Sequence, residues 1–133
     1  MIKVNKAIMY VYRVNERKEF FILHRKRNDV VTLTGHIEKG ESNIEAARRE
    51  TIEELGVEPI KITDLNIKTD VLLEKNGEKI LSIEHAFLIE IPNKDVHFLE
   101  ANEKHRWHTL DELYDVLTYP NQREPLNKIK EII

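Results

Sequence analysis

A chain of 133 residues, 41% apolar and 34% charged, has the composition of one globular domain long enough to bury a core. A net charge of −3 offers no broad basic field for general nucleic-acid binding, and the absence of cysteine excludes a disulfide framework, a thiolate nucleophile and a thiolate metal site. No apolar run approaches a membrane span and Met1 to Lys6 lacks the apolar core of a signal peptide, so a cytoplasmic location and no membrane partner are expected.

Lys3 to Val14 alternates loosely and is rich in Val, Ile and Tyr, which predicts a strand. Asn15 to Lys18 reads as a polar turn, and Glu19 to His24 as a second, buried strand in a hairpin with the first. Arg25 to Asp29 is a basic loop, and Val30 to Leu33 a short apolar segment leading to Gly35. Ser42 to Leu55 is the clearest helix. Ser42 and Glu45 can cap each other's free backbone N–H groups, and Gly56 stands where a left-handed residue would end the helix. Ile44, Ala47, Arg48, Thr51 and Leu55 fall at helical spacing and predict its buried stripe.

Pro59 to Ile67 and Asp70 to Glu74 read as two strands. Asn76-Gly77 is a hairpin turn signal, because both residues tolerate positive φ. Lys79 to Ile91 reads as a long strand stopped by Pro92. Thr109 with Glu112 predicts a second capped helix, ending near Leu117, with a break at Tyr119-Pro120. Leu126, Ile129, Ile132 and Ile133 predict a terminal helix. Mixed strands with separated helices argue for an α/β or α+β layered domain.

The chemistry concentrates on one helix face. Glu50, Glu53 and Glu54 stand at i, i+3 and i+4, so their carboxylates converge. Like charges at this spacing cost roughly 0.2–0.5 kcal/mol per pair in an isolated helix. Hard cations such as Mg²⁺ or Mn²⁺ need several oxygen ligands of this kind. On the helix alone, a solvated acidic face is the commoner explanation.

The wider segment changes that balance. Gly35, five residues, Glu41, seven residues, then Arg49-Glu50-Thr51-Ile52-Glu53-Glu54-Leu55-Gly56-Val57 resembles the Nudix box. Every fixed position matches except one aliphatic position, which is Thr51. Thr51 lies on the buried stripe, where its methyl can pack and its hydroxyl can bond the carbonyl one turn earlier. The box usually follows Pro-Gly, whereas Leu33-Thr34 stands here.

The resemblance implies an α/β/α sandwich with a mixed sheet between helices, in one domain over residues 1–133. It implies hydrolysis of a phosphoanhydride in a nucleoside-diphosphate-linked compound, with more than one Mg²⁺ or Mn²⁺ ion. By position, Glu50, Glu53 and Glu54 with the Gly35 carbonyl would hold metal. Arg49 would orient a glutamate, and Glu41 would support the metal shell. Glu38 would be an auxiliary group. Members often recruit a further glutamate ahead of an aromatic–basic–tryptophan segment, here His105-Arg106-Trp107. Glu100, Glu103 and Glu84 are the candidates. Arg25 and Arg27, in the basic cluster from His24 to Arg27, could hold distal phosphates, and His36 could touch substrate. Trp107 reads as core.

The substrate is less legible. Thr34-Gly35, Glu38, Gly40-Glu41, Trp107 and Asn121-Gln122-Arg123 look like bacterial pyrophosphohydrolases acting on nucleoside triphosphates or dihydroneopterin triphosphate. Gly35-His36 with Arg49-Glu50-Thr51 is similar to asymmetric diadenosine tetraphosphate hydrolases. The triphosphate reading ranks first. A catalytically silent nucleotide sensor and an interaction module with a merely acidic helix are the alternatives of another class. A small-molecule nucleotide is the expected partner. Edge strands are compatible with a homodimer.

Overall fold

Alternation along the first strand sorts its side chains onto two sides. The computed structural model describes residues 1–98 and 103–133. In it β1 (Ile2–Asn15) buries Ala7, Met9 and Val11 on one face and Ile8, Tyr10 and Tyr12 on the other. A strand covered on both faces belongs at the centre of a sheet. β1 pairs in parallel with β6 (Glu78–Glu90), and antiparallel with β2 (Arg17–His24) and β4 (Leu33–His36). β5 (Lys61–Lys75) pairs with β6 at one edge. β3 (Val30–Val31) and β7 (Lys104–His108) both pair with β2. One parallel pair in an otherwise antiparallel array makes the sheet mixed.

Each face has its own core. Helix α1 (Asn43–Leu55) lays Ala47 and Leu55 on Met9, Val11, Phe21, Phe87 and Ile89. On the opposite face, α2 (Leu110–Val116) and α4 (Leu126–Ile132) bring Leu113, Leu126 and Ile129 onto Tyr10, Phe20, Ile22 and Leu88. A single turn, α3 (Pro120–Arg123), links them. The sheet therefore lies between helices, as expected. Among the described residues no helix is long and apolar enough to cross a membrane.

Both capping boxes form. Ser42 accepts from the Glu45 amide and Glu45 from the Ser42 amide, at 3.1 Å each, and Thr109 and Glu112 do the same. Gly56 closes α1 with φ 69°.

Three expectations are corrected. Pro59–Ile67 and Asp70–Glu74 are not two strands. β5 is continuous, and a register shift between Asp64 and Lys68 absorbs the irregularity, with Asn66 at φ 55°. The buried stripe of α1 omits Ile44, which is 45% exposed, and Arg48, which pairs with Glu58 at the surface. Ala46, Ala47, Thr51 and Leu55 are the buried residues. The helix is rolled toward Glu50, so small alanines face the sheet and Ile44 faces out. The polar turn expected over Asn15–Lys18 shrinks to Glu16 alone, at φ 62°, because Asn15 already pairs with Arg17 and Val14 with Lys18.

Candidate active site

The roll of α1 sets the site. It turns Glu50 inward against β4, leaving its side chain only 13% exposed. A Cβ on Gly35 would lie 2.3 Å from Glu50 Cδ and 2.4 Å from Cγ, so no residue with a side chain fits there unless Glu50 moves. The Gly35 backbone and the Glu50 carboxylate are thus brought together by the lack of a side chain. Thr51, on the next position, is fully buried and donates to the Ala47 carbonyl at 2.8 Å.

Arg49 organises the carboxylates. Its Nε and Nη2 donate to the two oxygens of Glu41, at 2.7 and 2.9 Å. Nη1 donates to Glu50 at 2.9 Å and to Glu53 at 3.1 Å. Nη2 also donates to the His36 carbonyl at 3.0 Å and lies 3.9 Å from Glu38. One guanidinium therefore ties the helix to the loop after β4. Its donors, with the Glu38 amide, hold the Glu41 carboxyl down at about 2.

Among the described residues no three carboxylates or imidazoles converge on one point as they stand. Glu41, Glu50 and Glu53 are drawn onto Arg49 instead. The donor set still fits a hard divalent cation. Three carboxylates rise from one helix beside a backbone segment that carries no side chain, and oxygen ligands are what such cations take.

Glu54 and Glu103 line one small cavity of about 150 Å³, together with Leu33, Thr34 and Phe98. Glu103 Oε2 is buried and finds no hydrogen-bond partner among the described residues. A buried carboxylate oxygen left in this way is costly unless a ligand, ion or water meets it. Glu103 thus stands across from the Glu54 side of α1, whereas Glu100 lies outside the described residues.

That cavity adjoins a second of about 250 Å³ on the α2–α4 side of the sheet. Arg25, Val31, Thr32 and Thr34 line both. Arg25 and Arg27 are therefore at the cleft, but neither is loose. Asp29, 5% exposed, accepts from Arg25 through both oxygens, from Arg27 at 3.0 Å and from the Tyr119 hydroxyl at 2.6 Å. The Arg25 guanidinium holds the Asp29 carboxyl well below the usual carboxylate range. Asp29 and Tyr119 were missed as site residues by sequence. Asp29 ends a basic run and could have been noticed as its counter-charge. Nothing local marks Tyr119, 90 residues away.

Other expected residues divide. His36 is exposed at the end of β4, opposite Lys6 in register. Glu38 is exposed and touches the site through its amide, which donates to Glu41 at 2.9 Å. Glu84 is buried and lines the larger cleft, away from Glu54. Trp107 packs edge-on to Phe21 with Arg13 stacked at 3.7 Å, a packing role as expected. His24 and His108, which showed no useful spacing in sequence, meet Nε2 to Nε2 at 2.9 Å.

The family profile described as the NUDIX domain matches residues 4–129. No curated protein matches the chain in sequence. Among solved structures, the chain is similar to a Caenorhabditis elegans Ap4A hydrolase binary complex, at 22% identity and TM-score 0.74, covering 97% of this chain and 96% of that one. It is also similar to the Escherichia coli dihydroneopterin triphosphate pyrophosphohydrolase, at 15% identity and TM-score 0.76, over 96% and 97%. The Nudix domain of Shewanella oneidensis NrtR, complexed with ADP ribose, matches at 11% identity and TM-score 0.74, over 99% and 89%. At these identities the likeness shows the shared fold, and the profile match adds the family. With the helix–loop carboxylate site on the same chain, the protein belongs to the Nudix hydrolase family.

Proposed function

We propose that this chain is a divalent-cation-dependent pyrophosphohydrolase acting on a nucleoside triphosphate-type substrate. One observation carries the reading: the cavity lined by Glu54 of α1 shares Arg25, Val31, Thr32 and Thr34 with a second cavity of about 250 Å³, room for the non-phosphate part of a substrate. A triphosphate needs this layout, with hard-cation ligands at one end and a pocket of mixed polarity at the other.

The reaction adds water across a P–O–P bond and yields two phosphate products. Glu50, Glu53 and Glu54, with the Gly35 carbonyl, would hold Mg²⁺ or Mn²⁺, which supplies charge neutralisation on the phosphates and a more acidic water. Arg49 orients Glu50 and Glu53 and anchors the end of β4, next to Gly35, through the His36 carbonyl. Glu41 keeps Arg49 in place. Glu103, whose Oε2 has no partner among the described residues, accepts the proton from the attacking water. Arg25 and Arg27, held by Asp29, face the phosphate chain.

The asymmetric diadenosine tetraphosphate reading has its own support. A cavity of about 540 Å³ is lined by the loop after β4 together with Asn5, His36, Asn43 and His85. A second nucleoside would need such a space.

A panel of nucleoside triphosphates, dihydroneopterin triphosphate, ADP-ribose and dinucleoside tetraphosphates, with Mg²⁺ or Mn²⁺ at mildly alkaline pH, tests the proposal by product. Monophosphate plus pyrophosphate is expected. Ap4A cleaved to ATP and AMP in preference to every triphosphate would replace the first reading with the second. Tight nucleotide binding without any turnover would make the chain a sensor.

A further inference from the structure

The cleft contains a carboxylate that the hydrolytic chemistry does not use. Glu84 on β6 is 7% exposed and lines the 250 Å³ cavity on the face opposite α1. It stands in register with Lys6 on β1 and Thr69 on β5. Lys6, its cross-strand neighbour, is the counter-charge that acts on it. Its Oε1 accepts from Asn121 at 3.1 Å and its Oε2 from Ser82 at 3.3 Å. A carboxylate has about four acceptor positions, so roughly half remain for a ligand. The two existing bonds fix the plane of the group. Burial raises its pKa, which is the cost of keeping a carboxylate in a cavity.

The rest of the cavity suits a flat heterocycle. Val71 and Leu73 give an apolar wall, and Tyr119, fixed through its hydroxyl to Asp29, stands at the α3 end. Arg25 and Arg27 lie toward the phosphate end, and Lys6 offers a donor beside Glu84.

Resting on the hydrolase reading above, we infer that Glu84 is a specificity-determining residue that accepts two parallel N–H bonds from the 2-amino-4-oxopyrimidine edge shared by guanine and pterins. That edge carries a ring N–H and an exocyclic amine side by side, the two-donor counterpart of a fixed carboxylate. Hypoxanthine keeps the ring N–H and lacks the amine. Adenine turns a ring-nitrogen lone pair toward the anion. A site built to receive a donor rejects the analogue without it, because the buried acceptor is left unmet.

The test compares kcat/KM for GTP, dihydroneopterin triphosphate, ITP and ATP in the wild type and in Glu84→Gln and Glu84→Ala. Calorimetric binding of GMP and IMP is measured beside it, free of turnover. The wild type is expected to favour GTP or the pterin triphosphate over ITP by at least about tenfold, and over ATP by more. Whichever of the two is turned over faster names the source of the edge. In both variants the GTP-to-ITP ratio should fall to within about threefold of one. A wild type that treats GTP and ITP alike, or a Glu84→Gln variant that keeps the preference, overturns the inference. Uniform hydrolysis of all four would sink it while leaving the hydrolase reading intact. No hydrolysis, but tighter binding of GMP than IMP that depends on Glu84, would do the reverse.

Discussion

At the scale of single residues, Gly35 and Arg49 decide the site. A methyl on Gly35 collides with Glu50, so Gly35→Ala must push the carboxylate away from β4. Overpacking of this kind costs about 1–3 kcal/mol. The expected result is loss of most activity with a modest fall in Tm, read by assay and thermal melt on one preparation. Arg49→Lys keeps the charge but loses the fork that spans Glu41, Glu50, Glu53 and the His36 carbonyl. Activity should fall on the order of 10²-fold, since displaced charged groups lose the preorganisation that stabilises the transition state. Glu41 supplies a pH signature. Its folded-state carboxyl sits at about 2, below the ordinary 4.5, so its contribution is full above pH 4.5 and fades as pH falls toward 2. The Tm gap between wild type and Glu41→Gln should therefore narrow over that window. A gap that widened on acidification would contradict the Arg49–Glu41 account. Thr51 shows what sequence could resolve at this scale. Its back-bond to Ala47 was legible because both partners lie one helical turn apart.

At the scale of elements, local signals were legible and non-local ones were not. Ser42–Glu45, Thr109–Glu112 and Gly56 mark helix ends within four residues of themselves, and all three appear in the structure. Ser42→Ala should cost α1 about 1 kcal/mol. Chemical denaturation would register this as a lower midpoint with an unchanged slope. The rotation of α1 was not legible in the same way. Helical spacing admitted Ile44 and Arg48 to the buried stripe, but the sheet took Ala46 instead. Two small residues let the helix lie against β1 and turn Glu50 to Gly35. Periodicity gives the width of a stripe and not its centre. The bulge in β5 escaped for a related reason. The polar residues about Asn66 look like a chain break, and only pairing with β6 shows the strand continuing through them.

At the scale of the whole molecule, the carboxylate half of the site was readable and the cleft was not. The box is one contiguous segment, so the resemblance could name Glu41, Arg49, Glu50, Glu53 and Glu54 together; in the structure Arg49 gathers Glu41, Glu50 and Glu53, and Glu54 lines the cavity with Glu103. The cleft draws Arg25 from the β2–β3 loop, Glu84 from β6 and Tyr119 from the turn before α3, which only the sheet order brings together. Asp29 is the joint between these parts. Asp29→Asn removes the anion that holds Arg25, Arg27 and Tyr119. It should cost about 1–3 kcal/mol. It should also raise KM more than it lowers kcat, because it disturbs substrate positioning and leaves α1 alone. An unchanged KM with a fallen kcat would put Asp29 in the chemistry rather than in positioning.

If the α1 carboxylates hold the cation that drives hydrolysis, neutralising one of them should stop turnover without unfolding the protein. Glu53→Gln is the variant to make, because Glu53 is exposed on the surface of α1 and its charge can be removed without disturbing the core. Turnover of the best triphosphate with Mg²⁺ should fall by at least about 10²-fold while the thermal melt stays within a few degrees of wild type. Near-wild-type turnover by a folded Glu53→Gln protein would mean that Glu53 holds no cation needed for hydrolysis.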